Sequence, residues 1–120
     1  MNRPLVVIGH RMGKGQKIAA GVEKAGGTAI VIPGVLADMK LGDVMNENNA
    51  DLGLSFCGSG GAGALAAANK YGWKIEQQQK TPLQFANCVK KGCRVIGGPF
   101  QDNEETGVAV VNAWKELYEQ

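Results

Sequence analysis

The sequence lacks any long apolar run, since no stretch approaches the roughly 20 consecutive apolar residues that a membrane-spanning helix requires. Residues 1–4 lead directly into a short apolar segment without a small-residue cleavage site, so we expect no signal peptide. Cysteine is also scarce. The three cysteines form an odd, dispersed set, which fits reduced thiols in a cytosol better than a disulfide framework. We therefore expect a cytoplasmic protein.

Net charge and metal-binding side chains are equally sparse. The formal charge of +2 is too small to indicate nucleic-acid binding. His10 is the one histidine, so we expect no metal site built from conventional ligands. No Walker pattern occurs, which disfavours nucleotide binding, and we expect no cofactor.

Glycine, by contrast, is abundant. The chain has 18 glycines in 120 residues, about twice the average usage of roughly 7%. They fall between apolar runs rather than in a repeat, which indicates tight turns and close backbone approaches. With 44% hydrophobic residues, the length predicts one domain over residues 1–120.

Short apolar strands are predicted at 4–8, 28–32, 52–56, 73–76 and 93–96, alternating with amphipathic helices. The last helix is expected to be capped by Asp102. This alternation predicts an α/β fold, a three-layer αβα architecture with a mostly parallel, Rossmann-like sheet of about five strands. We expect the strand order 2-1-3-4-5, with a ligand beyond the carboxyl ends of strands one and three.

A glycine-rich turn follows the third strand and opens a helix. Such a turn presents backbone N–H groups to a small anion such as a phosphate or carboxylate. Cys57, beside the positive helix end, is expected to have a lowered thiol pKa. The alternative is that the glycines only permit tight packing and that Cys57 is a small buried hydrophobe. The predicted ligand-binding residues of this turn are Gly58, Ser59, Gly60, Gly61 and Gly63.

His10 and Arg11 follow the first strand and are expected at the same edge. His10 is a candidate general acid or base, or a phosphate acceptor, because its pKa lies near neutrality; the alternative is a solvated loop histidine. Arg11 is placed for an anion. We expect Cys88 and Cys93 to be structural thiols.

The string Ser55-Phe56-Cys57-Gly58-Ser59 resembles the signature of the glycine-rich SFCGS proteins, over essentially the whole chain. Members of that family are encoded near membrane proteins and enzymes of sugar-acid metabolism. The resemblance therefore implies association with membrane transport components.

A more distant resemblance joins Cys57-Gly58-Ser59-Gly60 and the Ala-Ala-Asn-Lys run at 67–70 to ribose-5-phosphate isomerase B and the galactose-6-phosphate isomerases. It implies that Cys57 is a catalytic base, that Ser59 and the amides of Gly60 and Gly61 hold an enediolate, and that Asn69 belongs to the site. The loop has one residue more than that pattern, and His10-Arg11 replaces an Asp-His pair.

Two functions follow. The first is binding of a small anionic sugar phosphate or sugar acid, with isomerase-like proton transfer by Cys57. The second is a non-catalytic component of a sugar-uptake system, or a phosphocarrier that uses His10. We also expect a homo-oligomer, because four aromatic residues exceed what this core needs: Trp73, Phe85, Phe100 and Tyr118.

Overall fold

The computed structural model describes residues 3–118, which form five strands and five α-helices. Within this range, no helix is long and apolar enough to cross a membrane. A short 3₁₀ helix, Ala37–Lys40, precedes the second α-helix. The elements in chain order are β1 (Leu5–His10), α1 (Gln16–Lys24), β2 (Thr28–Val31), α2 (Leu41–Asn48), β3 (Leu52–Phe56), α3 (Ala62–Tyr71), β4 (Ile75–Glu76), α4 (Pro82–Lys90), β5 (Val95–Gly98) and α5 (Glu104–Tyr118).

The five strands form one sheet in which every pairing is parallel, confirming the predicted α/β fold. The order is β2-β1-β3-β5-β4, so the expected order 2-1-3-4-5 is wrong in its last two strands. All four residues of β5 are buried, which suits an inner strand covered on both faces. The two residues of β4 are only half-buried, and so short a strand suits the edge.

Helices cover both faces of the sheet. On one face α1, α4 and α5 pack together over a core that includes Phe56, Phe85 and Trp114. On the other, α2, α3 and the 3₁₀ helix cover a smaller core around Leu41 and Met45. Phe85 is fully buried, which removes it from the surplus aromatic surface expected from the sequence.

The capping of α1 and α5 differs from the sequence prediction. The Ile18 amide of α1 donates to Asp102 Oδ1 at 3.1 Å, so Asp102 caps α1 rather than α5. Asn103 caps α5 instead, since its Oδ1 accepts from the Thr106 amide at 2.8 Å. The loop after β5 is thereby tied to the start of α1.

Candidate functional site

Three loops begin side by side at the carboxyl edge of the sheet. His10 at the end of β1 is the register partner of Phe56 at the end of β3, and Phe56 is the partner of Gly98 at the end of β5. The ladder continues past the strands: the Arg11 amide donates to Phe56 O at 2.9 Å, and the Cys57 amide donates to Gly98 O at 3.2 Å. The loops after β1, β3 and β5 therefore share one edge, where ligands of parallel α/β sheets bind.

The sulfur of Cys57 is surrounded by hydrogen-bond donors. The amides of Gly61 and Ala62 donate to Sγ at 3.3 and 3.2 Å, and the Ser59 hydroxyl lies 3.2 Å from it. Burial by itself would raise the pKa of this thiol, but the Ala62 amide, the Ser59 hydroxyl and the Gly61 amide outweigh it and lower the pKa to about 7. A substantial fraction of Cys57 is therefore thiolate at neutral pH.

Glycines allow the loop to bend around the sulfur. Gly60 and Gly61 have φ angles of 92° and 116°, a region that other residues rarely adopt. A Cβ on Gly61 would lie 2.5 Å from the Cα of Gly97 in β5, so both residues must be glycine for the loop to touch the strand. The segment after β4 fixes the loop from outside, since Gln77 Nε2 donates to Gly61 O at 2.9 Å and the Gln78 amide donates to Gly60 O at 3.0 Å.

The loop amides do not all face a common ligand position. The Gly60 amide donates to Cys57 O at 3.2 Å, and the Gly61 amide donates to the sulfur. The structure thus engages all three groups that the resemblance assigned to an enediolate, since the Ser59 hydroxyl also bonds to the sulfur. Gly58 is exposed, and its amide has no acceptor within residues 3–118. Within the described residues the Gly58 amide is therefore available to a ligand, whereas the exposed Ser59 hydroxyl is hydrogen-bonded to Cys57 Sγ at 3.2 Å.

Gly63 has a packing role in this structure. It is buried in the first turn of α3, where an added Cβ would lie 2.1 Å from Asp38 O and 2.7 Å from Ser55 Oγ. The backbone of Asp38 therefore fits directly against α3. Ser55 Oγ, in the same contact, is buried without a hydrogen-bond partner in the described part of the chain.

Arg11 is held by an ion pair rather than left free for an anion. Its Nε and Nη2 donate to the two carboxylate oxygens of Asp38 at 2.9 and 2.8 Å. The Asp38 side chain is completely buried, whereas 34% of the Arg11 side chain is exposed. The Asp38 carboxylate therefore neutralises the positive charge of Arg11, which we expected to bind an anionic ligand.

His10 is buried, not solvated. Its Nδ1 accepts a hydrogen bond from the Met12 amide at 3.1 Å, which leaves the proton of the neutral ring on Nε2. The ring packs against Phe56 and Phe100, with centroids 6.2 and 5.2 Å away. Burial lowers the pKa of His10 despite the opposing charge of Asp102, so the ring is a neutral Nε2–H donor at pH 7.

A cleft of about 660 Å³ opens beside His10, between the loops after β1 and β5. Cys57 is not among its lining residues. Phe100 lies between the cleft and the cysteine loop, because its ring contacts His10 and comes within 3.4 Å of the position that a Cβ on Gly58 would take. The residues that line the cleft are His10, Met12, Lys14, Lys17, Phe100, Gln101 and Asp102.

The loop after β5 was not among the predicted site residues. The expected strand order placed β5 at the far edge, away from β1. The paired glycines Gly97-Gly98 at the end of this strand were the available signal, because they allow another loop to approach closely.

Asn69 is exposed near the other end of α3. It lies seven positions after Ala62, which corresponds to about 10 Å along the helix axis. The structure therefore does not bring Asn69 to the cysteine loop of the same chain.

A parallel five-stranded sheet with a cysteine–glycine turn at its carboxyl edge defines a Rossmann-like α/β protein. The chain belongs to the glycine-rich SFCGS family, whose profile matches residues 5–117. No curated protein matches the sequence.

Solved structures show the likeness of fold. The type B ribose 5-phosphate isomerase of Trypanosoma brucei superposes with a TM-score of 0.68 at 15% identity, covering 99% of this chain and 97% of that one. The ribose-5-phosphate isomerase B of Mycoplasma genitalium, solved with ribulose-5-phosphate, gives 0.66 at 14% identity over 95% and 84% of the two chains. The Giardia lamblia enzyme gives 0.64 at 14% over 92% and 93%.

Proposed function

We propose that the protein binds a small phosphorylated sugar or sugar acid at the carboxyl edge of its sheet, and that Cys57 transfers a proton between adjacent carbons of that ligand. The observation that carries this proposal is the environment of the Cys57 sulfur, where two amides and a hydroxyl lower the pKa to about 7. A general base is most effective when its pKa lies near the operating pH. The fold shared with ribose-5-phosphate isomerases supports the same reaction class.

The proton balance is simple. The thiolate takes the proton from the hydroxyl-bearing carbon beside a carbonyl, which leaves an enediolate. It then delivers the proton to the former carbonyl carbon, while the hydroxyl proton passes to the former carbonyl oxygen. No oxidant or reductant is needed. The Gly58 amide is available to a developing oxyanion, and the Ser59 hydroxyl becomes available once Cys57 has taken the proton, whereas the Gly60 and Gly61 amides bond within the protein.

The cleft supplies the second half of the proposed site. Lys14 and Lys17 provide two positive charges for a phosphate or carboxylate, and His10 provides a neutral Nε2–H donor for an uncharged oxygen. The carboxylate of Asp102 also lines the cleft and would repel an anion, but its Oδ1 accepts a hydrogen bond from the Ile18 amide at the start of α1. A ligand that extends past Phe100 would reach from the lysines toward the cysteine loop.

The phosphocarrier hypothesis for His10 receives no comparable support. Phosphoryl transfer to a histidine requires a ring nitrogen with a free lone pair. The lone pair of Nδ1 accepts the Met12 amide, and Nε2 carries the proton. We therefore assign His10 to ligand binding.

We also propose a homo-oligomer, on a surface other than the aromatic one first expected. Large apolar side chains remain about half exposed or more around the loops after β1 and β2 and the start of α3. A second copy would cover them, since exposed apolar patches commonly mark interaction surfaces. These side chains are Met12, Val35, Leu36, Met39 and Leu65. Light scattering tests the proposal: a particle of 12.6 kDa at micromolar concentration would contradict it.

The function is tested by incubating the protein in D₂O with a panel of phosphorylated aldoses, ketoses and sugar acids, followed by proton NMR. Loss of the signal from the carbon beside the carbonyl is expected for at least one compound with the wild-type protein, and not with Cys57→Ser. Thermal-shift assays with the same panel measure binding separately. Deuterium incorporation that survives in Cys57→Ser would exclude Cys57 as the base, and absence of any binding would overturn the proposal.

A further inference from the structure

A second group of reactive side chains lies on the opposite side of β5 from β3. Glu76 in the edge strand β4, Cys88 in α4 and Cys93 before β5 bring one carboxylate oxygen and two sulfurs within 4.8 Å of one another. Glu76 Oε2 is 2.8 Å from Cys88 Sγ and 3.9 Å from Cys93 Sγ. Both cysteines are buried, and Glu76 is half-buried.

We propose that Glu76, Cys88 and Cys93 form a binding site for a thiophilic divalent cation of the Zn²⁺ type. Two thiolates and a carboxylate are ligands that Zn²⁺ takes in proteins, and three protein ligands leave one position for water. Glu76 lies toward solvent, with 36% of its side chain exposed, and provides the route of entry. This proposal is independent of the proposed function, because none of these residues lines the cleft or the cysteine loop.

The backbone holds the ligands in place. The Cys93 amide donates to Cys88 O at 3.1 Å, which closes the end of α4 and brings the two cysteines onto one side. Glu76 is fixed by the pairing of β4 with β5, where it is the register partner of Ile96. A bound cation would therefore join the edge strand to α4 and to the start of β5.

The charge balance favours binding with release of two protons. Without a metal, burial raises the pKa of both thiols, so the two cysteines are neutral beside the Glu76 carboxylate. Binding of a divalent cation displaces both thiol protons to solvent, and the group keeps its net charge of minus one. Lys91, whose Nζ lies 3.5 Å from both Glu76 oxygens, balances that charge. Lys74 lies nearby, with its Nζ bonded to Lys91 O.

Cobalt titration tests the site. Cys57→Ala protein, reduced and free of metal, keeps only the two cysteines of the group, and Co²⁺ should produce thiolate-to-cobalt charge-transfer absorption that saturates at one ion per chain. Zn²⁺ should abolish this absorption and raise the Tm of the wild-type protein by a few degrees. Because two protons leave on binding, each rise of one pH unit should lower the Kd for Co²⁺ by up to about 100-fold, as long as the pH is below the thiol pKa values.

Matched variants decide whether the named residues are responsible. Glu76→Gln should weaken Co²⁺ binding by at least about 10-fold. Replacing a residue that only hydrogen-bonds to a metal ligand already costs about that much, and Glu76 is proposed to be a ligand itself. Glu104→Gln, which removes an exposed carboxylate elsewhere, should not weaken it. Cys88→Ser and Cys93→Ser should each remove most of the absorption, and circular dichroism checks their folding. Absence of the absorption in Cys57→Ala protein, or equal affinity in Glu76→Gln and Glu104→Gln, would overturn the proposal whatever the serine variants do.

Discussion

The sulfur of Cys57 lies 3.2 Å from the amide nitrogen of Ala62, the first residue of α3. The N-cap position of this helix is Gly61, which has no side chain to accept from the first turn. Cys57 therefore takes the part of a capping group from five residues upstream. Because an anion is stabilised at a helix N-terminus, ionisation of the thiol and stability of the helix are coupled.

Alkylation should distinguish the three cysteines. With a pKa of about 7, Cys57 is about half thiolate at neutral pH, whereas Cys88, with a pKa of about 12, is thiolate in roughly one molecule in 10⁵. Iodoacetamide at pH 7 should therefore modify Cys57 first, and a bound sugar phosphate should slow the reaction. Mass spectrometry of peptides measures each rate. Equal labelling of all three thiols would show that Cys57 is an ordinary buried cysteine.

The Ser59 hydroxyl should contribute to the low pKa of Cys57. Hydrogen bonds to charged groups contribute about 1.5–3 kcal/mol when well formed, and Ser59 is exposed, which reduces the effect. Ser59→Ala should raise the pKa and slow alkylation at pH 7 by roughly three- to tenfold, since a rise of one pKa unit from about 7, or about 1.4 kcal/mol, lowers the thiolate fraction from about one half to about one eleventh. Ser59→Thr, which keeps a hydroxyl, is the control. An unchanged rate in the alanine variant would leave the two amides as the cause.

Gly63, in the first turn of α3, and Gly58, in the loop before it, should differ in their response to an added methyl group. In Gly63→Ala the Cβ would lie 2.1 Å from the backbone oxygen of Asp38, which cannot move without displacing the 3₁₀ helix. We expect a loss of about 3 kcal/mol or more in the free energy of unfolding. In Gly58→Ala the nearest atom is 3.4 Å away, on the exposed ring of Phe100. That change should stay within about 0.5 kcal/mol of wild type, as urea denaturation can measure.

Removing Arg11 should leave Asp38 charged and unpaired in the interior. Loss of one partner of a buried ion pair costs about 3–5 kcal/mol, and the partial exposure of Arg11 reduces this to about 2–3 kcal/mol for Arg11→Ala in the free energy of unfolding. Arg11→Lys keeps the charge but not both hydrogen bonds, so it should recover part of the loss. If Arg11→Ala is as stable as wild type but loses sugar-phosphate binding, Arg11 is a ligand-binding residue instead.

Most of the fold could be predicted from the sequence because strand and helix periods alternate clearly. The observed strands begin and end within about two residues of the predicted bounds, as boundary uncertainty allows. The strand order could not be predicted, because whether β4 or β5 pairs with β3 depends on contacts such as Gly61 against Gly97. Because of that error, the loop after β5, which contains Phe100, was not predicted to be part of the site.

The candidate site was predictable in composition but not in hydrogen bonding. Sequence placed Cys57 at the start of a helix, and a helix start has free N–H groups. It could not show that the Gly61 and Ala62 amides point at the sulfur rather than at a ligand. Nor could it show that Arg11 is paired with Asp38, because that contact joins residues 27 apart in the chain.

The last prediction concerns stability against pH. The folded protein lowers the pKa of Cys57 from 9.0 to about 7, so the unfolded chain holds the thiol proton more tightly than the folded one. The resulting stabilisation is fully present above about pH 9 and is lost as the pH falls through 7. Cys57→Ser cannot ionise in this range.

The difference in unfolding free energy between wild type and Cys57→Ser should therefore grow by about 2 kcal/mol from about pH 6 to pH 9, given 1.36 kcal/mol for each pKa unit. Burial and Glu76 raise the pKa of Cys88 to about 12, which destabilises both proteins equally above pH 9 and cancels in the difference. Urea denaturation at four or five pH values measures it. A difference that stays constant with pH would mean that folding does not favour the thiolate, and Cys57 would then lack the ionisation that its role as a base requires.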